Sequence, residues 1–107
     1  MYIEVINMKI VNSNEFNQEV SSGVVLVDFF AVWCGPCKMI SPVLEKLDGD
    51  YPNIKFIKVD VDQSPDIAGR YGVQSIPTLI IFKDGKPMET QVGFAGEPQL
   101  RNMLSKY

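Results

Sequence analysis

Histidine is absent from the sequence. Its absence removes Ser-His-Asp and Cys-His catalysis, and every imidazole ligand for a metal. Cysteine is scarce: the chain has two, and two thiolates alone cannot close a four-ligand zinc site within one chain, so no metal is expected. No apolar run approaches the roughly 20 residues that a membrane-spanning helix needs. No cluster of Lys and Arg interrupts the mildly acidic balance, a net charge of −3. That balance argues against nucleic acid or an anionic membrane surface as a partner. The N-terminal stretch MYIEVINMKIV lacks a basic segment followed by a long apolar one, so no signal peptide is expected. A reducing cytoplasm is the expected location. Repeats, low-complexity stretches and linkers are missing too, and without a GxGxxG the chain has no sign of a nicotinamide or flavin site.

What is present is 107 residues, 46 % of them hydrophobic and 21 % charged, enough for one domain over residues 1–107 with a core of its own. Residues 1–7, MYIEVIN, alternate apolar and polar and read as an extra edge strand or a loose tail. Asn12–Val20 reads as a short helix capped by Asn12 or Ser13, with Phe16 and Val20 on one face. Val24–Val32 is a near-continuous β-branched and aromatic run, the pattern of a central strand buried on both faces. After it, Met39, Ile40, Val43, Leu44 and Leu47 recur at helical spacing, with Pro36 at the first turn. Pro42 should kink this helix and Asp48-Gly49-Asp50 should end it. Ile54–Asp62 alternates as a second strand, and Ser64-Pro65 opens a helix that stops at Gly72. Asp84-Gly85 is a two-residue turn joining Thr78–Phe82 to Met88–Val92 as a hairpin. A last amphipathic helix turns Leu100, Met103 and Leu104 inward. Strand, helix, strand, helix, hairpin, helix predicts an α/β fold: a mixed sheet between helices.

Both cysteines fall in the stretch FAVWCGPCK, as Cys34 and Cys37. Two thiols this close can be a metal clip, a structural staple or a redox switch, and free cysteines are often merely buried. Their place favours the switch. They lie past the C-terminal end of a central strand, where open α/β sheets carry their sites, and Cys34 falls at the start of a helix. Unpaired N–H groups and the helix dipole there favour an anion, which lowers the pKa of the Cys34 thiol. The thiolate is the attacking species in disulfide exchange. Cys37, one turn further in, should be more buried and less ionised. Gly35 lets a partner chain approach, and Pro36 stiffens the ring and removes one donor. C-x-x-C beside a βαβ pattern is a stronger signal than the motif alone.

Asp28 interrupts the apolar strand six residues before Cys34. A buried carboxylate costs free energy unless paired or protonated, so its pKa should rise and it can take a proton from Cys37. Otherwise it points to solvent. Lys58 on the next strand either tempers that carboxyl or is an ordinary exposed lysine. Ile76-Pro77 precedes the hairpin strand, since proline cannot sit mid-ladder, and a cis bond there is one option. Trp33 is core or, beside a Gly-Pro turn, an apolar face offered to partners.

Asp28-Phe29-Phe30-Ala31 followed by Trp33-Cys34-Gly35-Pro36-Cys37-Lys38 resembles the thioredoxin family. So do Pro42, KVDVDQSP around Lys58, YGVQSIPT around Pro77, FKDGK and Val92-Gly93, in that order from about Ile10 to the C-terminus. The resemblance implies a thioredoxin-like fold, a mixed sheet of about five strands flanked by four helices. It implies a general protein-disulfide reductase with no cofactor beyond a reversible Cys34–Cys37 disulfide. Cys34 would be the nucleophile, Cys37 the resolving thiol and Asp28 the buried acid that assists it. Gly35, Pro36 and Lys58 would tune the pair. Pro77 would be a cis-proline facing the thiols, and Trp33, Gly35, Pro36, Ile76, Pro77 and Gly93 would dock the substrate chain. The implied partners are disulfide-containing proteins and a separate thioredoxin reductase, a flavoprotein or a ferredoxin-dependent enzyme, with the chain itself a monomer. Phe30 departs from the family, where many members have Trp, and MYIEVIN is longer than usual. Three rivals stand beside this reading: a binding module with idle thiols, a disulfide oxidase or isomerase, and a dimer sharing a metal on four thiolates.

Overall fold

A computed structural model describes residues 8–107, so the expectation for MYIEVIN lies outside the described residues. In chain order the elements are β1 (Lys9–Ile10), α1 (Phe16–Glu19), β2 (Val24–Phe30), α2 (Gly35–Asp50), β3 (Ile54–Asp60), α3 (Pro65–Arg70), β4 (Thr78–Lys83), β5 (Lys86–Val92) and α4 (Glu97–Leu104). The five strands form one sheet in the order β1-β3-β2-β4-β5. β1, β3 and β2 run parallel, β4 runs antiparallel to β2, and β5 returns beside β4. The mixed sheet is the expected one. Its parallel part comes from the β2-α2-β3 crossover and its antiparallel part from the hairpin.

Side chains alternate across β2, so its run feeds two cores. On one face Leu26, Phe56, Leu79 and Ile81 meet Ile40, Leu44 and Leu47 of α2, and Leu100, Met103 and Leu104 of α4. On the other, Val25, Val27, Phe29, Ile57, Val59, Ile80 and Phe82 meet Phe16 and Val20 around α1, and Ile67 and Ala68 of α3. Burying each large side chain of this kind is worth about 1.5–3 kcal/mol before chain entropy is charged against it.

The elements differ from the sequence pattern where local hydrogen bonds or a wide apolar stripe decide. The first helix is shorter than Asn12–Val20. The Asn12 side chain accepts from the Asn14 and Glu15 N–H groups at 2.9 and 3.0 Å, and the Glu15 carboxylate accepts from the Asn12 N–H at 3.2 Å. This reciprocal box holds a turn, with the α-helix beginning one residue later. Ser13 does not cap; its hydroxyl donates to Asp66 near the start of α3. α2 continues through Asp48-Gly49-Asp50 instead of stopping there, closed by Tyr51, whose N–H donates to the Leu47 carbonyl at 2.9 Å. Met39 is 64 % exposed, not inward. Its neighbour Ile40 takes the core position, because an apolar stripe at i, i+3, i+4 already fills the face. The two strand predictions overran: β2 stops at Phe30 and β3 at Asp60. Ser64 caps α3 by position but makes no side-chain capping bond. The hairpin turn is as read, with φ of +50° at Asp84 and +85° at Gly85. β5 starts earlier than expected, at Lys86, and its register with β4 shifts between Ile81 and Phe82.

Candidate functional site

The site forms where β2 ends and α2 begins. Cys34 is the N-cap residue of α2, in extended backbone, and its sulfur accepts from the Cys37 N–H at 3.2 Å. This is one of the orphan donors that every helix start presents. Pro36 occupies the first turn, where a missing N–H costs nothing. The Cα atoms of Cys34 and Cys37 are 5.3 Å apart, and the two sulfurs are joined as a disulfide. Both cysteines are covered almost equally, 3 % and 4 % exposed. The expectation that Cys37 is clearly the more buried does not hold in this oxidised ring. Phe30, Ala31, Val61 and Ile76 pack around it and shield both sulfurs alike.

Asp28 is the other anomaly that the structure resolves. It is fully buried, and neither carboxyl oxygen finds a hydrogen-bond partner among the described residues. Burial pushes its carboxyl up to about 7, and the positive charge of Lys58 pulls the other way. The parallel register sets Lys58 of β3 directly beside Asp28 of β2. Lys58 is itself 8 % exposed, so it is not an ordinary surface lysine. Its ammonium donates to the Ser41 hydroxyl at 3.4 Å and lies 4.4 Å from the centroid of the Phe30 ring. A cavity of about 360 Å³ opens here, walled by Cys37, Ser41 and Glu45 of α2 and by Phe30 and Lys58 of the sheet.

Of the residues expected to dock a partner, Ile76 is half-buried against the disulfide and Pro77 is buried. The Ile76-Pro77 bond is cis, and the Ile76 carbonyl oxygen lies 3.8 Å from the Cys34 sulfur. The Gly93 N–H donates to the Pro77 carbonyl at 2.8 Å, with Gly93 at φ +83°, where a side chain would be strained. Trp33, 67 % exposed, stands beside Gly35 and Pro36, also exposed. Its indole N–H donates to Asp62 at 2.7 Å. Asp62 is in turn fixed by Asp60, whose carboxylate accepts the Asp62 and Gln63 N–H groups at 2.8 and 3.3 Å.

Sequence reasoning missed Asp60, Asp62 and Ser41, and the exposure of the apolar Val32, Val92 and Phe94. Asp62 and Ser41 act through partners 29 and 17 residues away, a relation that no local pattern carries. Val32, Val92 and Phe94 look like core by type, and only packing reveals them as exposed. Among the described residues, no group of three His, Cys, Asp or Glu side chains is placed to hold a metal ion. No helix among them is long and apolar enough to cross a membrane.

The model of the thioredoxin family matches residues 7–106. The chain is 49 % identical over 100 residues to the thioredoxin of Chlamydia trachomatis serovar D, spanning 94 % of this chain and 98 % of that protein. It is 53 % identical over 93 residues to the thioredoxin of Bacillus subtilis, spanning 86 % and 89 %. Among solved structures it is similar to mitochondrial thioredoxin 3 of Saccharomyces cerevisiae in its oxidized form, with a TM-score of 0.86 and 37 % identity over 94 % of this chain and 95 % of that one. The Plasmodium falciparum thioredoxin gives a TM-score of 0.88 and 39 % identity over 94 % and 99 %.

Proposed function

The chain belongs to the thioredoxin family, and from that premise we propose how its residues divide the work of a protein-disulfide reductase. The reduced Cys34 thiolate attacks one sulfur of a partner's disulfide. A mixed disulfide forms and the partner's other sulfur leaves as a thiolate. Cys37 loses its proton to Asp28 and attacks the Cys34 sulfur. The partner then departs as a dithiol, and the Cys34–Cys37 disulfide closes with two electrons given up. The observation that supports this division is the Cys37 N–H already aimed at the Cys34 sulfur at the helix start. That contact favours charge on Cys34 and not on Cys37.

Trp33, Gly35, Pro36, Ile76, Pro77 and Gly93 receive the partner chain. The half-buried Ile76, whose carbonyl lies against the Cys34 sulfur, and the Gly93 turn border the place where an extended segment would lie across the disulfide. Gly35 and Pro36 set the stiffness of the ring, and Lys58 tempers Asp28. The domain reading treats residues 1–107 as one unit acting as a monomer in the cytoplasm. Regeneration falls to a separate thioredoxin reductase, either a flavoprotein or a ferredoxin-dependent enzyme, because the chain's own redox group is its disulfide and no further cofactor is needed.

Reduction of insulin disulfides, followed as turbidity with a chemical dithiol as electron source, tests the activity. Cys34→Ser should abolish it. Cys37→Ser should still attack and accumulate the mixed disulfide, visible as a covalent adduct on a non-reducing gel. Normal turnover by Cys37→Ser would overturn the resolving role, and idle thiols in the parent protein would favour the binding-module reading.

A further inference from the structure

Lys58 is a nearly buried ammonium with no carboxylate within ion-pair distance among the described residues. A buried carboxyl, Asp28, is its register neighbour on β2 and lacks any hydrogen-bond partner among those residues. Two such groups side by side would ordinarily close into a pair, since each leaves the other less costly to bury. They do not, and the Lys58 contacts give the reason. The side chain runs to α2, where the Ser41 hydroxyl accepts from it at 3.4 Å and the Phe30 ring lies under it at 4.4 Å. Ser41 stands one helical turn beyond Cys37, so both project from the same side of α2 and both wall the same cavity.

We propose that Ser41 is a positioning residue: its hydroxyl, with the Phe30 ring, holds the Lys58 ammonium off the Asp28 carboxyl and leaves that carboxyl without a direct ionic partner. The charged and titratable groups around the pair are few. β3 supplies Lys58 and, two residues on along the same face, Asp60, whose Oδ1 accepts from the Asp62 and Gln63 N–H groups. α2 supplies Cys37, and its Lys38 and Glu45 wall the cavity. Opposite Asp28, β4 offers only Leu79, and opposite Lys58, β1 offers only Ile10. Lys58 is therefore the cation in register with Asp28, Lys55 and Lys83 lying further along β3 and β4, and where its ammonium rests sets how readily the carboxyl accepts a proton. A hydroxyl accepting from it outside the carboxyl's reach weakens the attraction without cancelling it, consistent with a carboxyl whose proton affinity is raised by burial and only partly lowered by Lys58.

The proposal rests on the reading of Asp28 as the group that takes the Cys37 proton, but the test separates the two. The carboxyl carbon of Asp28 is titrated by NMR in the full chain, in the parent protein and in Ser41→Ala and Ser41→Thr. Without the hydroxyl, Lys58 swings to Asp28, and the midpoint should fall by about one pH unit, as for a carboxylate gaining a close cation. Ser41→Thr keeps a hydroxyl and should titrate like the parent. In a Lys58→Met background, Ser41→Ala should add no further shift, which a mere packing effect of the lost hydroxyl would not satisfy. A Ser41→Ala midpoint that coincides with the parent's, or moves upward, overturns the proposal, as does a shift that persists without Lys58. The pH profile of insulin reduction supplies the second reading. Its acid limb should move down with the carboxyl in Ser41→Ala. A carboxyl that shifts while the profile stands still supports Ser41 as the positioning residue and removes Asp28 from the chemistry.

Discussion

Asp28 gives the sharpest expectation at the scale of a single residue. Burial pushes its carboxyl up to about 7 in the fold from 3.8 when exposed, against the pull of Lys58. Below about pH 4 both states hold the proton, and the group carries no electrostatic cost. As pH rises from about 4 to about 7, the unfolded chain gives up the proton and the folded one keeps it, so stability falls through that window. Above it the folded carboxyl ionises too and the loss levels off. At about 1.4 kcal/mol per pH unit, the full penalty is on the order of 4 kcal/mol. Asp28→Asn should remove this slope. Denaturant unfolding should find the variant more stable at pH 8, by a few kcal/mol less whatever the buried amide costs, and much less so at pH 4. Turnover should slow in the same variant. Equal stability at both pH values would mean that the parent carboxyl is solvated. That Asp28 and Lys58 matter was legible in the sequence, because a charge inside an apolar strand, and its counterpart on the next strand, stand out against their neighbours. Ser41 and Asp62 were not legible. Each is an unremarkable polar residue until the fold brings Lys58 or Trp33 to it.

At the scale of the element, turn chemistry was read correctly because it is local. The Asp84-Gly85 turn holds positive φ at both residues, and Asp84 also accepts from the Gly23 N–H at 2.8 Å. A Cβ on Gly85 would meet only the Ser21 backbone at 3.9 Å, an ordinary contact. The cost of Gly85→Ala is therefore conformational, about 1 kcal/mol, and shows as a lower denaturation midpoint with an unchanged denaturant slope. Leu44, fully buried between α2 and the sheet, should behave differently. Leu44→Ala leaves a cavity and should cost about 3–5 kcal/mol. The first helix and the Met39 position were misread for one physical reason. Periodicity says which residues share a side, whereas a capping box and the width of the core decide where a helix begins and which of two adjacent apolar residues turns inward.

At the scale of the whole molecule, the disulfide and the fold are thermodynamically linked. Closing so short a loop, with the cysteines three residues apart, removes unfolded-chain entropy worth roughly 2 kcal/mol. The oxidised protein should therefore unfold at higher denaturant than the dithiol, by about that much in free energy. Equal stability of the two forms would show that strain or unfolded-state structure cancels the entropy. The architecture was legible as a class, a mixed sheet between helices, because a βαβ crossover followed by a hairpin leaves little choice. The order of strands was not. β2 is legible as the central, doubly buried strand from its apolar run, but which strands flank it, β3 on one side and β4 on the other, depends on contacts between residues far apart in sequence.

The amide of Cys37 already points at the Cys34 sulfur while the two sulfurs are still bonded. Whatever charge arrives there on opening finds its donor waiting, and no backbone need rearrange to receive it. A carrier built this way spends little on reorganisation in either direction. Its pace should then follow how often it meets a partner, so that its observed rate climbs linearly with partner concentration well past the point where a gated enzyme would level off.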